Sequence, residues 1–218
     1  MRPETLHGRP LRGVERDRRL WVDRPGDLDR VGRSIGLRFN TLVLGEPGSG
    51  VTSLINMIVA ELKDGAGREM ARVSARRASS AHELLDLVGD ALGREGTARS
   101  SDDRVQAAYL RLSAAGISRP DALVVVDDVP GSFAHQVFGR MRDELWELGL
   151  QWLVSGRADD EAVLLAPPAD GFFETVHRVQ PLSPAQIETL LDRRDGDAHL
   201  SGELRHRIAE RAAGNPAR

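Results

Sequence analysis

The stretch Gly45-Glu46-Pro47-Gly48-Ser49-Gly50-Val51-Thr52-Ser53 constrains the fold more than any other part of the chain. It follows an apolar run at residues 41–44 that reads as a buried strand. It precedes a segment in which Val51, Leu54, Ile55, Ile58, Val59 and Leu62 keep helical spacing. Strand, glycine-rich turn and helix in this order match the pattern G-x-x-x-x-G-K-[S/T], in which backbone N–H groups and the positive end of the helix cradle phosphate. One position departs from it: Val51 stands where the pattern has lysine. Gly45, Gly48, Ser49, Gly50, Val51, Thr52 and Ser53 are the candidate phosphate-binding residues, with the Thr52 hydroxyl placed to ligate Mg²⁺. A glycine-rich turn between strand and helix can also be purely structural, so the loop needs a second element.

Leu123-Val124-Val125-Val126-Asp127-Asp128 supplies one, an apolar strand that ends in paired carboxylates. At such a strand end Asp127 is the candidate Mg²⁺ ligand, and Asp128 the candidate group that orients or deprotonates an attacking water. Asp-Asp before Val-Pro-Gly is also good turn chemistry, which is the alternative for this segment alone. A third strand, Gln151-Trp152-Leu153-Val154-Ser155-Gly156-Arg157, ends in a hydroxyl and a guanidinium, and Arg157 could supply the charge that Val51 cannot. A solvated arginine after a turn is the competing reading.

Composition sets the surroundings. The chain of 218 residues is 40% hydrophobic and 29% charged, as in an ordinary globular protein, and holds one sizeable core or one large and one small. It has no cysteine, which removes disulfides and thiolate chemistry, and no apolar run long enough to span a membrane, so a cytoplasmic location is expected. The net charge of −3 gives no global attraction to nucleic acid or to an anionic membrane. Only residues 1–33, with nine Arg against six Asp and Glu, form a basic stretch, expected as an extended arm. Lys63 is the only lysine, and twelve residues of helix place it about 18 Å from position 51, too far to serve the loop.

Further strands are expected at residues 69–74 and 174–179, with helices near 80–92, 103–115, 184–194 and 202–213. Phe133, Val137, Met141, Leu145 and Leu148 mark one face of a single further helix, and residues 93–103 read as a polar mobile loop. Alternation of this kind predicts a three-layer α/β fold with a parallel sheet between helices.

With these motifs placed, the chain resembles the P-loop ATPases of the AAA+ and STAND group, which includes the NB-ARC and NACHT modules. The resemblance covers about residues 30–218. Val31-Gly32-Arg33 resembles a motif that contacts the base or ribose side of the nucleotide, residues 45–53 resemble the Walker A loop, and Asp127 and Asp128 resemble Walker B. Residues 155–157 resemble the sensor 1 strand end, Pro181-Leu182-Ser183 opens the lid helices, and Gly214-Asn215-Pro216 resembles the lid motif near the adenine. The resemblance implies an αβα sandwich of the AAA+ (ASCE) type with a five-stranded parallel sheet. In that sheet another strand stands between the Walker B strand and the P-loop strand. It implies a basic arm over residues 1–33, a core over 34–180 and a small helical lid over 181–218, cut short at Arg218. It adds Arg33 and Pro216 to the candidate nucleotide contacts, and names ATP or ADP with Mg²⁺ as the ligands.

The vacancy at position 51 shapes the functional expectation. A charge-assisted hydrogen bond contributes about 1.5–3 kcal/mol, so loss of the lysine lowers affinity roughly ten- to a hundredfold if only binding suffers. Hydrolysis suffers more, because charge developing on the bridging oxygen has lost its nearest cation. A nucleotide-controlled switch with weak or absent turnover is therefore expected. The alternatives are an ATPase completed by Arg157 or by an arginine from a neighbouring subunit, and a scaffold that binds no nucleotide. A protein partner or self-assembly is expected, no membrane contact, and DNA only as the lesser alternative, since 4% aromatic content leaves few side chains on which bases could stack.

Overall fold

The computed structural model describes residues 9–22, 24, 26–66, 68–93, 104–195 and 200–217. In chain order the main elements are α1 (Glu15–Arg18), α2 (Asp27–Gly36), β1 (Thr41–Gly45), α3 (Val51–Ala66), β2 (Met70–Ser74), α4 (Ala81–Ala91) and α5 (Arg104–Ile117). They continue with β3 (Leu123–Val129), α6 (Gly131–Ala134), α7 (Arg142–Glu147), β4 (Gln151–Arg157), α8 (Glu161–Leu164), β5 (Thr175–Arg178), α9 (Pro184–Asp195) and α10 (Gly202–Ala212). The chain divides into two compact units. One comprises Met1–Gly32, Gly45–Ala66 and Arg178–Arg218, and the other Arg33–Leu44 and Gly67–His177.

The second unit carries the sheet, in the order β2-β3-β4-β1-β5. β2 runs parallel to β3 from Met70↔Leu123 to Ser74↔Asp127, and β3 runs parallel to β4 from Leu123↔Gln151, with a bulge between Val126 and Val129. Leu123 to Val126 are fully buried, as expected of a strand covered on both faces. Asn40 fixes the position of β1. Its side-chain oxygen accepts from the Trp152 N–H at 3.0 Å, its own N–H donates to Glu174 Oε2 at 2.6 Å, and its carbonyl accepts from the Thr175 N–H at 3.3 Å. An aromatic group of Phe138, Trp152, Phe172 and Phe173 fills one part of the core, with Phe138 5.2 Å from each of Phe172 and Phe173 between ring centres. On the helices, Ser80 caps α4 by accepting from the Glu83 N–H, while Glu83 reaches back to the Ser79 N–H at 2.7 Å. Arg111 of α5 holds Asp86 of α4 through two bonds of 2.6 Å.

The first unit is built around α3. The Leu11 N–H donates to Ser53 Oγ at 3.0 Å, and Asn56 Nδ2 donates to the Leu11 carbonyl, so the N-terminal segment is stapled along the helix. Asp17, fully buried, takes Arg9 at 2.7 and 2.8 Å and the Arg12 N–H at 2.6 Å. Val22, Leu182, Ile187, Leu190, Leu191 and Ala212 form a smaller core among the N-terminal segment, α9 and α10.

Two local expectations differ from the structure. The arm expected over residues 1–33 is not extended throughout: among its described residues α1 and most of α2 form, and the interactions of Leu11 and Asp17 hold the turn before α1. The single helix expected over residues 133–148 is interrupted by a π-helical segment at His135–Arg140 before α7. Gly139 lies in that segment, and its low helix propensity helps the ladder change register there. Most of the expected loop at 93–103, from residue 94, lies outside the described residues.

Candidate functional site

The loop that follows β1 has a backbone only glycine adopts readily. Gly48 and Gly50 have φ of +84° and +97°. A Cβ at Gly48 would stand 2.7 Å from both Asn215 Oδ1 and Ala217 Cβ. The Ser49 N–H turns back to the Glu46 carbonyl at 2.9 Å, and the Leu54 N–H bonds the Gly50 carbonyl at 2.9 Å, so α3 begins immediately after the loop. The first turn of α3 contains no acidic residue, which leaves its positive end unopposed. Val51 and Thr52 lie half-buried in this turn. Ser53 is buried, and its oxygen receives the Leu11 N–H. The Ser49 hydroxyl is buried with no hydrogen-bond partner among the described residues. A closely approached backbone, an unopposed helix N-terminus and an orphaned hydroxyl together suit an anion such as phosphate.

Two further segments of the same unit meet the loop. Asn215 Nδ2 donates to the Pro47 carbonyl at 2.8 Å, while Asn215 Oδ1 accepts from the Ala217 N–H at 3.0 Å. Pro216 Cγ lies 3.9 Å from where a Cβ of Gly50 would be. The other is Arg24, which sequence reading did not single out. It is only 6% exposed, and its Nη2 donates to the Ser49 carbonyl. Its only sequence signal was an arginine following the apolar pair Trp21-Val22, one of nine arginines in that stretch. Burial pushes the Arg24 pKa down, and the charge of Asp27 opposes that shift.

The carboxylates belong to the other unit. Asp127 is 9% exposed at the end of β3, and its Oδ1 accepts from Ser155 Oγ of β4 at 2.7 Å. The same Ser155 oxygen accepts the Asp128 N–H at 2.9 Å, so one hydroxyl spans the bulge and fixes both acids. Arg72 Nη2 of β2 stands 3.8 Å from Asp127 Oδ2. Asp128 has φ of +62°, a left-handed conformation that aspartate tolerates, and its carboxylate pairs with Arg76. That hydrogen bond and charge push the Arg76 pKa up. Sequence reading also missed Arg72 and Arg76, which parallel pairing of β2 with β3 brings to the acids. Arg157, at the end of β4, is half exposed and pairs with Asp159 at 3.1 Å. Arg33 is exposed in the last turn of α2.

No protein-family model and no curated protein matches the sequence. Solved structures do match the fold. The Aeropyrum pernix Orc1 protein, solved in complex with DNA, matches with a TM-score of 0.70 at 19% identity over 91% of this chain and 59% of its own. Cdc6p from Pyrobaculum aerophilum also reaches 0.70, at 18% identity over 92% of this chain and 62% of its own. The Aeropyrum pernix Orc2 protein, solved as ADPNP–ADP complexes, reaches 0.61 at 14% identity over 88% and 59%. The chain has the AAA+ P-loop NTPase fold. It spans about three-fifths of the length of these structures.

The AAA+ sheet order accounts for the roles of neighbouring strands here. β4 stands between β3 and β1, so its Ser155 can serve the acids of β3. Among the described residues no group of three or more His, Asp and Glu side chains is arranged to hold a metal ion, and no helix is long and apolar enough to cross a membrane.

Proposed function

We propose that this chain is an AAA+ type nucleotide-binding module that takes ATP or ADP with Mg²⁺ and turns it over slowly or not at all, in the manner of a STAND-like switch. The observation that carries the reading is the loop at 45–53, whose two left-handed glycines, buried unpartnered Ser49 hydroxyl and unopposed α3 N-terminus suit a phosphate chain. In this reading Gly45, Gly48, Ser49, Gly50 and Thr52 hold phosphate, Thr52 and Asp127 are the Mg²⁺ ligands, and Arg33 and Pro216 are the outer nucleotide contacts. Mg²⁺ supplies charge neutralisation when bound. Residues 34–180 act as the core and 181–218 as a helical lid. The ADPNP–ADP complexes of the Orc2 protein, which shares this fold, support the choice of ligand.

Weak turnover follows from two features. Val51 offers no charge to the bridging oxygen, and the Arg76 pairing engages Asp128, the candidate base. We further propose a cytoplasmic module whose partner is another protein or a second copy of itself. DNA is the lesser alternative, raised by the DNA complex of the Orc1 protein.

Isothermal titration with ATP and ADP, with and without Mg²⁺, tests the reading. Micromolar to sub-millimolar binding that needs Mg²⁺ and weakens at least tenfold in Asp127→Ala is expected. Absence of binding at millimolar nucleotide would overturn it in favour of a scaffold.

A further inference from the structure

The chain has 30 basic residues but none within its phosphate loop, where hydrophobic Val51 occupies the cation position of the pattern. The structure nevertheless buries a cation against that loop. Arg24 comes from the N-terminal segment, and its guanidinium reaches the turn immediately before α3. Nη2 bonds the Ser49 carbonyl, and Nη1 and Nη2 lie 3.4 and 3.7 Å from where a Cβ of Gly50 would stand. Its Nε has no hydrogen-bond partner among the described residues.

A guanidinium has five N–H donors, and one carbonyl does not satisfy them. The charge of Asp27 offsets part of the cost of burying it, and a further anion would complete the set. The same turn holds the orphaned Ser49 hydroxyl, so two buried side chains with unused hydrogen-bonding capacity converge on the N-terminal end of a helix that has no acid in its first turn. Phosphate oxygens are acceptors of the right charge and geometry for both. The described residues that precede Arg24 are themselves held. The Trp21 carbonyl accepts from Arg193, Val22 is buried with Ile187 and Leu190, and Asp17 ties down residues 9–12.

We propose that Arg24 supplies to a bound di- or triphosphate the positive charge that a lysine at position 51 would supply, so that the loop's cation comes from the N-terminal segment instead of from α3. This rests on the nucleotide-binding reading above. It adds that the charge lost from nucleotide binding at position 51 is compensated within the chain, and by a residue other than Arg157, while no cation is assigned to the bridging oxygen during turnover.

A double-mutant cycle read by isothermal titration with ADP tests it, using the wild-type chain, Arg24→Gln, Val51→Lys and the pair combined, with Arg24→Lys as the charge-retaining variant. Arg24→Gln removes the charge while keeping a polar, uncharged side chain, and thermal melts of the ligand-free variants check the fold. Arg24→Gln should weaken ADP binding about ten- to a hundredfold, and Arg24→Lys should lose much less. Val51→Lys should recover most of the loss in the Arg24→Gln background and gain clearly less in the wild-type background, because the two cations serve one anion. Unchanged affinity in Arg24→Gln would overturn the proposal, as would an equal gain from Val51→Lys in both backgrounds. Both results presuppose a wild-type chain that binds ADP. A wild-type chain that does not bind would instead remove the nucleotide-binding reading, and this proposal with it.

Discussion

At the scale of single residues, the pairing of Asp128 with Arg76 decides how the second acid can act. A carboxylate oxygen that accepts from a guanidinium is engaged, which leaves it less available to accept a hydrogen bond from an attacking water. Arg76 is largely exposed and belongs to the turn after β2, so this contact can be removed without opening the core. Arg76→Ala should therefore raise steady-state ATP hydrolysis several-fold, and Asp128→Asn should abolish that gain. An unchanged rate in Arg76→Ala, measured by phosphate release, would remove Asp128 from the role of base. The two acids themselves were legible in the sequence, because an apolar strand ending in Asp-Asp is a local pattern. Their arginines were not. Arg72 and Arg76 lie about 50 residues away in sequence and reach the acids through the register that sets Ser74 beside Asp127, which periodicity does not specify.

At the scale of elements, sequence placed all five strands to within a few residues; β1, β3 and β4 are runs of mostly buried side chains, whereas β2 and β5 are half-buried edge strands with a weaker apolar signal. β4 runs to Arg157 as read from the sequence, but the bonding of its Ser155 to Asp127 and Asp128 lay beyond the reach of hydropathy. The loop and α3 were equally legible, but the use made of Ser53 was not. Its position in the pattern marks it for phosphate, whereas its oxygen receives the Leu11 N–H and joins the N-terminal segment to α3. Ser53→Ala would leave that buried N–H unsatisfied and should cost roughly 1–3 kcal/mol in urea unfolding. Nucleotide affinity should fall much less than in Thr52→Ala. A larger fall in Ser53→Ala than in Thr52→Ala would return Ser53 to the phosphate site.

At the scale of the whole molecule, the unit holding the loop is assembled from three separated stretches, Met1–Gly32, Gly45–Ala66 and Arg178–Arg218. Arg24 was invisible in the sequence for this reason, since nothing local marks which of nine N-terminal arginines closes onto a loop more than twenty residues later. Closure of the first stretch depends on Asp17. Its buried carboxyl is held at about 2, against an ordinary 3.8, by hydrogen bonds first from Arg9 and then from the Arg12 N–H, which outweigh the cost of burial. A carboxyl whose folded pKa lies below its unfolded value stabilises the fold above the unfolded pKa and loses that contribution as pH falls through the folded one. The shift corresponds to roughly 2 kcal/mol, present in full above about pH 5, mostly lost by about pH 2 and gone near pH 1. Asp17→Asn should consequently be less stable than wild type by about this amount at neutral pH, with the difference shrinking from pH 4 downward. Urea unfolding at a series of pH values measures it. A difference that stays constant down to pH 2 would mean that Asp17 contributes through packing alone, and that the ion pair with Arg9 does not hold the N-terminal segment in place.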